Sequence, residues 1–191
     1  MNVSEITIID EIIEIGKSLK RNGLICSTDG NISVRNGDNI YITPGGYDKG
    51  GLKRNEIVKL DIKKFEYNVD SKIKPSSEVN MHIRSYMNDK IIKAIVHTHA
   101  PFSTAFASKG ILPNRERLLE SELLPDICMI DDYEPGSIEL ANKVSKNVKD
   151  YHIMLLKRHG VIVFSESLKM AYETIERFEF LCRVNLYSNL L

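Results

Sequence analysis

The run Ile95-Val96-His97-Thr98-His99-Ala100 sets two histidines two residues apart in an apolar stretch. In an extended strand, residues i and i+2 face the same side with roughly 6.5–7 Å of rise between them, so both imidazoles can turn toward one ion. Two ligands leave such a site incomplete. A third histidine closes a second apolar run, Leu155-Leu156-Lys157-Arg158-His159-Gly160, and Glu78, after Ser76 and Ser77, offers a carboxylate. A His-x-His pair in a buried strand can equally be two core histidines bonded to their neighbours, and the doublet alone does not separate these readings.

Working outward, a chain of 191 residues that is 42% hydrophobic is long enough for one domain with a well-buried core, expected to span residues 1–191. Lysines plus arginines equal aspartates plus glutamates at 26 each. No net field therefore draws the protein to nucleic acid or to a membrane surface. Cys26, Cys128 and Cys182 are widely spaced, which argues against a disulfide framework or a thiolate zinc site and for a reducing compartment. The first residues lack a basic start and an apolar leader core, and no run of apolar residues is long enough to cross a bilayer. The expectation is a soluble, cytoplasmic protein.

Val3, Ile6, Ile9, Ile12, Ile13 and Leu19 recur at helical spacing, and Asn22-Gly23 supplies a stop, so the spacing predicts a helix over residues 3–21. Gly30-Asn31 leads into an alternating strand, turned at Asn36-Gly37 into a returning strand over residues 39–43. Pro44-Gly45-Gly46 then exposes backbone to anything that approaches. Ile57, Leu60 and Ile62 suggest a further strand, and Phe65-Glu66-Tyr67-Asn68-Val69 alternates in the same way.

Pro75-Ser76-Ser77-Glu78 opens a predicted helix through about residue 87, with a serine as its cap and His82 on its face. A helix start is also a natural anion site, because its free N–H groups and dipole favour negative charge. Residues 91–96 lead into the histidine doublet, and Pro101 opens a short helix that stops at Gly110. Residues 112–132 resist assignment, with Arg115, Glu116 and Arg117 expected in solvent. Pro135-Gly136-Ser137 caps a helix with Ile138, Ala141, Val144 and Val148 inward. Two apolar strands, 153–156 and 161–164, flank His159. A final helix from about Ser167 carries Leu168, Ala171, Ile175, Phe178, Cys182 and Leu186 on one stripe.

With these motifs placed, the chain resembles the class II aldolase/adducin family, in its L-fuculose-1-phosphate aldolase-like branch. The likeness rests on six motifs in order: Gly30-Asn31-Ile32-Ser33-Val34-Arg35, Ile42-Thr43-Pro44-Gly45-Gly46, Pro75-Ser76-Ser77-Glu78, His97-Thr98-His99-Ala100, Tyr133-Glu134-Pro135-Gly136-Ser137 and Arg158-His159-Gly160. The resemblance implies a three-layer α/β/α fold with a mostly antiparallel central sheet and a C4 homotetramer. It also implies one divalent metal per chain, usually zinc, in a cleft between adjacent subunits. By the same resemblance His97, His99 and His159 hold the metal, and Glu78 is a fourth ligand and the catalytic acid/base. Gly30, Asn31, Gly45, Gly46, Ser76 and Ser77 bind a substrate phosphate.

The implied reaction is reversible cleavage of a ketose 1-phosphate, L-fuculose 1-phosphate or a relative, to dihydroxyacetone phosphate and a short aldehyde such as lactaldehyde. Breaking a carbon–carbon bond beta to a ketone leaves an enediolate, whose charge a Lewis acid can hold where no Schiff-base lysine serves. Sugar-phosphate 4-epimerases and methylthioribulose-1-phosphate dehydratases look similar in these motifs, and adducin-like interaction domains keep the fold without the histidines. Three departures stand out. Gly45 replaces the Ser or Thr common in family aldolases, residues 115–124 contain no tyrosine to protonate the aldehyde oxygen, and the chain ends at Leu191 without a longer tail. Tyr133 is the remaining candidate proton donor.

Overall fold

The computed structural model describes residues 3–64 and 72–190. The alternating segment at Phe65 to Val69 lies outside the described residues. Helix α1 (Val3–Arg21) buries Ile9, Ile12, Ile13 and Leu19 of the stripe its spacing predicts, while Ile6 is half-buried and Val3, in the first turn, is exposed. Strands β1 (Asn31–Asn36) and β2 (Asn39–Ile42) form the hairpin turned at Gly37, with Asn36 opposite Asn39, and β3 (Val58–Asp61) extends it. After α2 (Val79–Asn88) come β4 (Ala94–Thr98) and α3 (Pro101–Lys109), with Pro101 at the start of α3 and Gly110 ending it in a left-handed conformation. The remainder is β5 (Ile127–Ile130), α4 (Ile138–Asn147), β6 (Ile153–Leu156), β7 (Gly160–Ser165) and α5 (Leu168–Ser188).

These strands make one seven-stranded sheet in the order β3-β2-β1-β4-β7-β6-β5. Only the β5–β6 pairing is parallel, so the sheet is mostly antiparallel as expected. Because side chains alternate along a strand, each face carries its own core. On one face Ile32, Val34, Val96, Leu155 and Val163 share a cluster with residues of α1, α3 and α5. On the other, Ile42, Ile95, Met154, Leu156 and Ile162 pack with residues of α2 and α4. The result is helix, sheet, helix: three layers.

Several local expectations change. Strand β4 starts at Ala94, leaving Ile91 63% exposed, and it ends at Thr98, so His99 lies one residue past the ladder. No serine side chain caps α2. Glu78 itself is the cap residue, and the Ser76 hydroxyl accepts the Glu78 N–H at 3.3 Å. Residues 112–132 form two short 3-10 turns, Arg115–Arg117 and Leu119–Leu123, followed by β5. Arg115 is not a solvated charge, because its guanidinium donates to the Ser121 and Leu124 carbonyls at 2.7 Å each and staples these turns together.

In α4 Leu140 is buried where Ile138 was expected, and Ile138 is exposed. In α5 Leu186 faces outward, while Glu179 and Asn185 are buried. Both have partners that periodicity cannot reveal: Glu179 accepts the Phe102 and Ser103 N–H groups at the start of α3, and Asn185 pairs with the backbone of Asn114.

Candidate metal centre

Three adjacent strands position the cluster. Asn31 on β1 pairs with His97 on β4, and His97 pairs with Ile162 on β7. The β6–β7 turn carries His159, and Arg158 within it adopts a φ of 58°, a left-handed bend that turns the chain back over β4. Gly160 follows because nothing larger fits: a Cβ there would lie 2.4 Å from the Thr98 carbonyl and 2.8 Å from the His99 ring. Gly30 is similarly constrained, with φ of 73° and a would-be Cβ 2.6 Å from the His97 carbonyl. Glu78, at the start of α2, comes in beside the rings.

The three imidazoles form a nearly equilateral triangle, with ring centroids 5.0, 4.8 and 4.9 Å apart. His97 Nδ1 lies 2.9 Å from the Val161 carbonyl and donates to it, so Nε2 is the ring atom turned toward the centre. That Nε2 is 3.1 Å from His99 Nε2 and 3.1 Å from Glu78 Oε2, while His159 Nε2 lies 3.6 Å from Glu78 Oε1. One ligand atom from each histidine falls within 4.8 Å of the others. Among the described residues, Glu78 Oε1 and His159 Nδ1 are buried without a hydrogen-bond partner. Lone pairs and a carboxylate crowded this closely call for a positive charge among them. Three imidazoles and a carboxylate suit zinc and several other first-row divalent ions.

The electrostatics agree. Burial alone would raise the Glu78 carboxyl, but the charge and hydrogen bond of His97, then His159 and the Asn31 amide, hold it well below the usual carboxylate range. Burial pushes His99 and His159 down to about 4, with the charge of His97 adding to the effect, which leaves both rings neutral and able to ligate. Burial opposes protonation of His97 as well, but neighbouring Glu78 outweighs it and raises this ring.

Beside the triangle lies a cavity of about 200 Å³, lined by Gly30, Asn31, Gly45, Gly46, Ser76, Ser77, Glu78, His99 and His159 among others. His97 lies beneath it, fully buried. The structure thus brings together the residues expected to hold metal and phosphate, from positions 30 to 159. It also shows which groups are already engaged. The Gly45 N–H donates to the Lys74 carbonyl, the Ser76 N–H to the Thr43 carbonyl, and the Asn31 amide to Glu78. Tyr133 lines a neighbouring cavity that also reaches Arg158 and His159.

Lys49 carries no motif in the sequence, and His82 has partners that its place on a helix face does not announce. Lys49 is buried under the same cavity, its ammonium donating to the Thr28 carbonyl at 2.6 Å and the Tyr47 carbonyl at 2.9 Å. Burial lowers its pKa, against the pull of Asp29 and Asp48. A lysine between two glycine-rich loops is weak in a sequence and strong in a fold. His82, spaced with Val79, Ile83 and Tyr86 on the packed face of α2, is fully buried, 2.5 Å from Asn31 Oδ1 and 2.7 Å from the Ser33 hydroxyl. The spacing Glu78, His82, Tyr86, four residues apart on one helix face, was the available signal.

Comparison with known proteins points the same way. The family described as "Class II Aldolase and Adducin N-terminal domain" matches residues 10–186. An L-fuculose phosphate aldolase of Methanococcus maripaludis is 34% identical over 95% of this chain and 97% of its own length. A 5-deoxy-D-ribulose 1-phosphate aldolase of Bacillus thuringiensis serovar kurstaki is 30% identical over 92% of this chain and 82% of its own. A solved L-fuculose 1-phosphate aldolase superposes with a TM-score of 0.86 at 28% identity, covering 96% of this chain and 86% of that one.

Proposed function

The chain belongs to the class II aldolase and adducin family, as a metal-dependent aldehyde-lyase, and from that premise we propose that it reversibly cleaves a ketose 1-phosphate. L-fuculose 1-phosphate and 5-deoxyribulose 1-phosphate are the leading substrates, giving dihydroxyacetone phosphate and a short aldehyde. The observation that carries this is the clustering of His97, His99 and His159 beside Glu78, with Glu78, His99, His159 and the Gly45-Gly46 and Ser76-Ser77 loops lining one cavity. The three histidines disfavour the non-catalytic, adducin-like alternative.

A divalent ion held by His97, His99 and His159, most simply zinc, supplies a Lewis acid for the negative charge that develops on the substrate carbonyl oxygen. The protein's own groups do the rest. The Ser76 and Ser77 hydroxyls and the glycine backbone at residue 46 hold the phosphate. Lys49 lies beneath, adding positive charge that needs no rearrangement when the anion arrives. Glu78 is ionised, and its Oε1 has no hydrogen-bond partner, so it can take a proton from the reacting carbon in one direction and return it in the other. Tyr133 is assigned the proton that leaves the sugar hydroxyl as it becomes the aldehyde carbonyl in cleavage and returns to that oxygen in synthesis. The resemblance supports a homotetramer, and the three free thiols and balanced charge support a cytoplasmic enzyme. No described helix is long and apolar enough to cross a membrane.

The test is synthesis. The purified, zinc-loaded protein given dihydroxyacetone phosphate and lactaldehyde should yield a phosphorylated ketose, with close to one divalent ion per chain by metal analysis. If a supplied pentulose phosphate changes only its stereochemistry and no carbon–carbon bond forms, the protein is an epimerase instead.

A further inference from the structure

Behind the histidines, a file of buried polar side chains runs from Glu78 into the core. The Asn31 amide donates to Glu78 Oε2 at 2.9 Å, and Asn31 Oδ1 lies 2.5 Å from His82 Nε2. His82 Nδ1 lies 2.7 Å from Ser33 Oγ, which is 2.8 Å from the Tyr86 hydroxyl. The Tyr86 hydroxyl also lies 3.0 Å from the Ser33 carbonyl. His82, Ser33 and Tyr86 have no exposure to solvent.

Chemistry fixes the direction of each bond from Glu78 to Ser33. A carboxylate only accepts, so Asn31 must present its NH2 to Glu78 and its oxygen to His82. That oxygen demands a donor, which places the imidazole proton on Nε2 and leaves Nδ1 to accept from the Ser33 hydroxyl. Reversing any member would set two acceptors face to face in a buried site. A core with only packing to do would carry hydrocarbon here, as the opposite face of β1 does at Ile32 and Val34.

We propose that His82 is a positioning residue for Glu78: its Nε2–H tautomer, held by Ser33, locks the Asn31 amide so that the carboxylate is gripped at Oε2 and free at Oε1. Glu78 can then part from the cluster and return to the same place without rotating. The Asn31 side chain serves the carboxylate rather than the phosphate. This inference rests on the reading of Glu78 as the proton carrier, but part of its test does not.

The first measurement is nitrogen NMR on zinc-loaded protein labelled in its histidines. His82 should show a protonated Nε2 and a bare Nδ1; the opposite tautomer overturns the proposal. The second compares His82→Gln, whose amide places a donor near the Nε2 position, with His82→Asn, which reaches only the Nδ1 position. His82→Gln should stay close to the native kcat and zinc affinity. His82→Asn should lose about 10- to 100-fold in both, a span typical of groups that orient metal ligands, with KM for the sugar phosphate little changed. In a Glu78→Gln background, His82→Asn should cost no further turnover, whereas independent, additive losses would make it a merely structural residue. If His82→Asn does not fold, the tautomer and the retained function of His82→Gln decide the matter, and loss of zinc affinity in His82→Gln overturns the proposal. Should no ketose phosphate be turned over at all, the tautomer and zinc affinity still report on His82 separately.

Discussion

Along β1, Ile32 and Val34 look toward α1 and α5 and meet hydrocarbon, whereas Asn31 and Ser33 look toward α2 and meet hydrogen-bonding groups. One strand thus serves two cores. The apolar face gains stability roughly in proportion to area, at about 25 cal/mol per Å² removed from water, and tolerates modest changes of shape. The polar face gains little net stability from its hydrogen bonds but is unforgiving about geometry, because each unmade bond leaves a desolvated group behind. The two faces of β1 divide the labour. At β1 the α1–α3–α5 side holds the strand with hydrocarbon and the α2 side aims Glu78, although away from β1 the α2–α4 side has an apolar core of its own.

That division can be broken most drastically by taking the metal away. Chelation should abolish turnover completely and zinc should restore it, while far-UV circular dichroism stays native because the apolar core is untouched. Collapse of secondary structure on chelation would mean that the histidine cluster, not the hydrocarbon face, holds the sheet. Next in size is Glu78→Gln, expected to lower kcat by about 100- to 10,000-fold, the usual range for losing a general acid or base. Binding of inorganic phosphate should be spared. Unchanged turnover would remove Glu78 from the chemistry.

The converse change lies on the other face. Phe178→Ala, at a fully buried site on α5, should cost about 3–5 kcal/mol in a denaturant titration, with kcat of the folded protein retained. A loss of kcat that outruns the loss of stability would show that the two faces are coupled. Smallest is Ser167→Ala, which removes the hydroxyl accepting the Met170 N–H at the start of α5. It should cost about 1 kcal/mol and leave the reaction alone.

Much of this architecture was legible beforehand. The hairpin at Gly37 and helix α1 followed from period and turn chemistry. The histidine doublet and His159 announced themselves by residue type. Where local pattern gave out, the cause was a distant partner. Arg115 reads as solvent-facing until its carbonyl partners are known, and buried Glu179 makes sense only against the start of α3. β5, a half-buried edge strand of four residues, is too short and too mixed in character to stand out.

Residue types able to do the chemistry, and the face that most side chains take on their own element, follow from the chain alone, because the periods of helix and strand are local properties of the backbone. Only the tertiary structure decided that residues 31, 78, 82, 97, 99 and 159 share one corner. Their meeting depends on the register of β1 against β4 and of β4 against β7, and on the docking of α2 across them. Register between strands distant along the chain is set by the fit of two cores at once, and no window of sequence contains that fit.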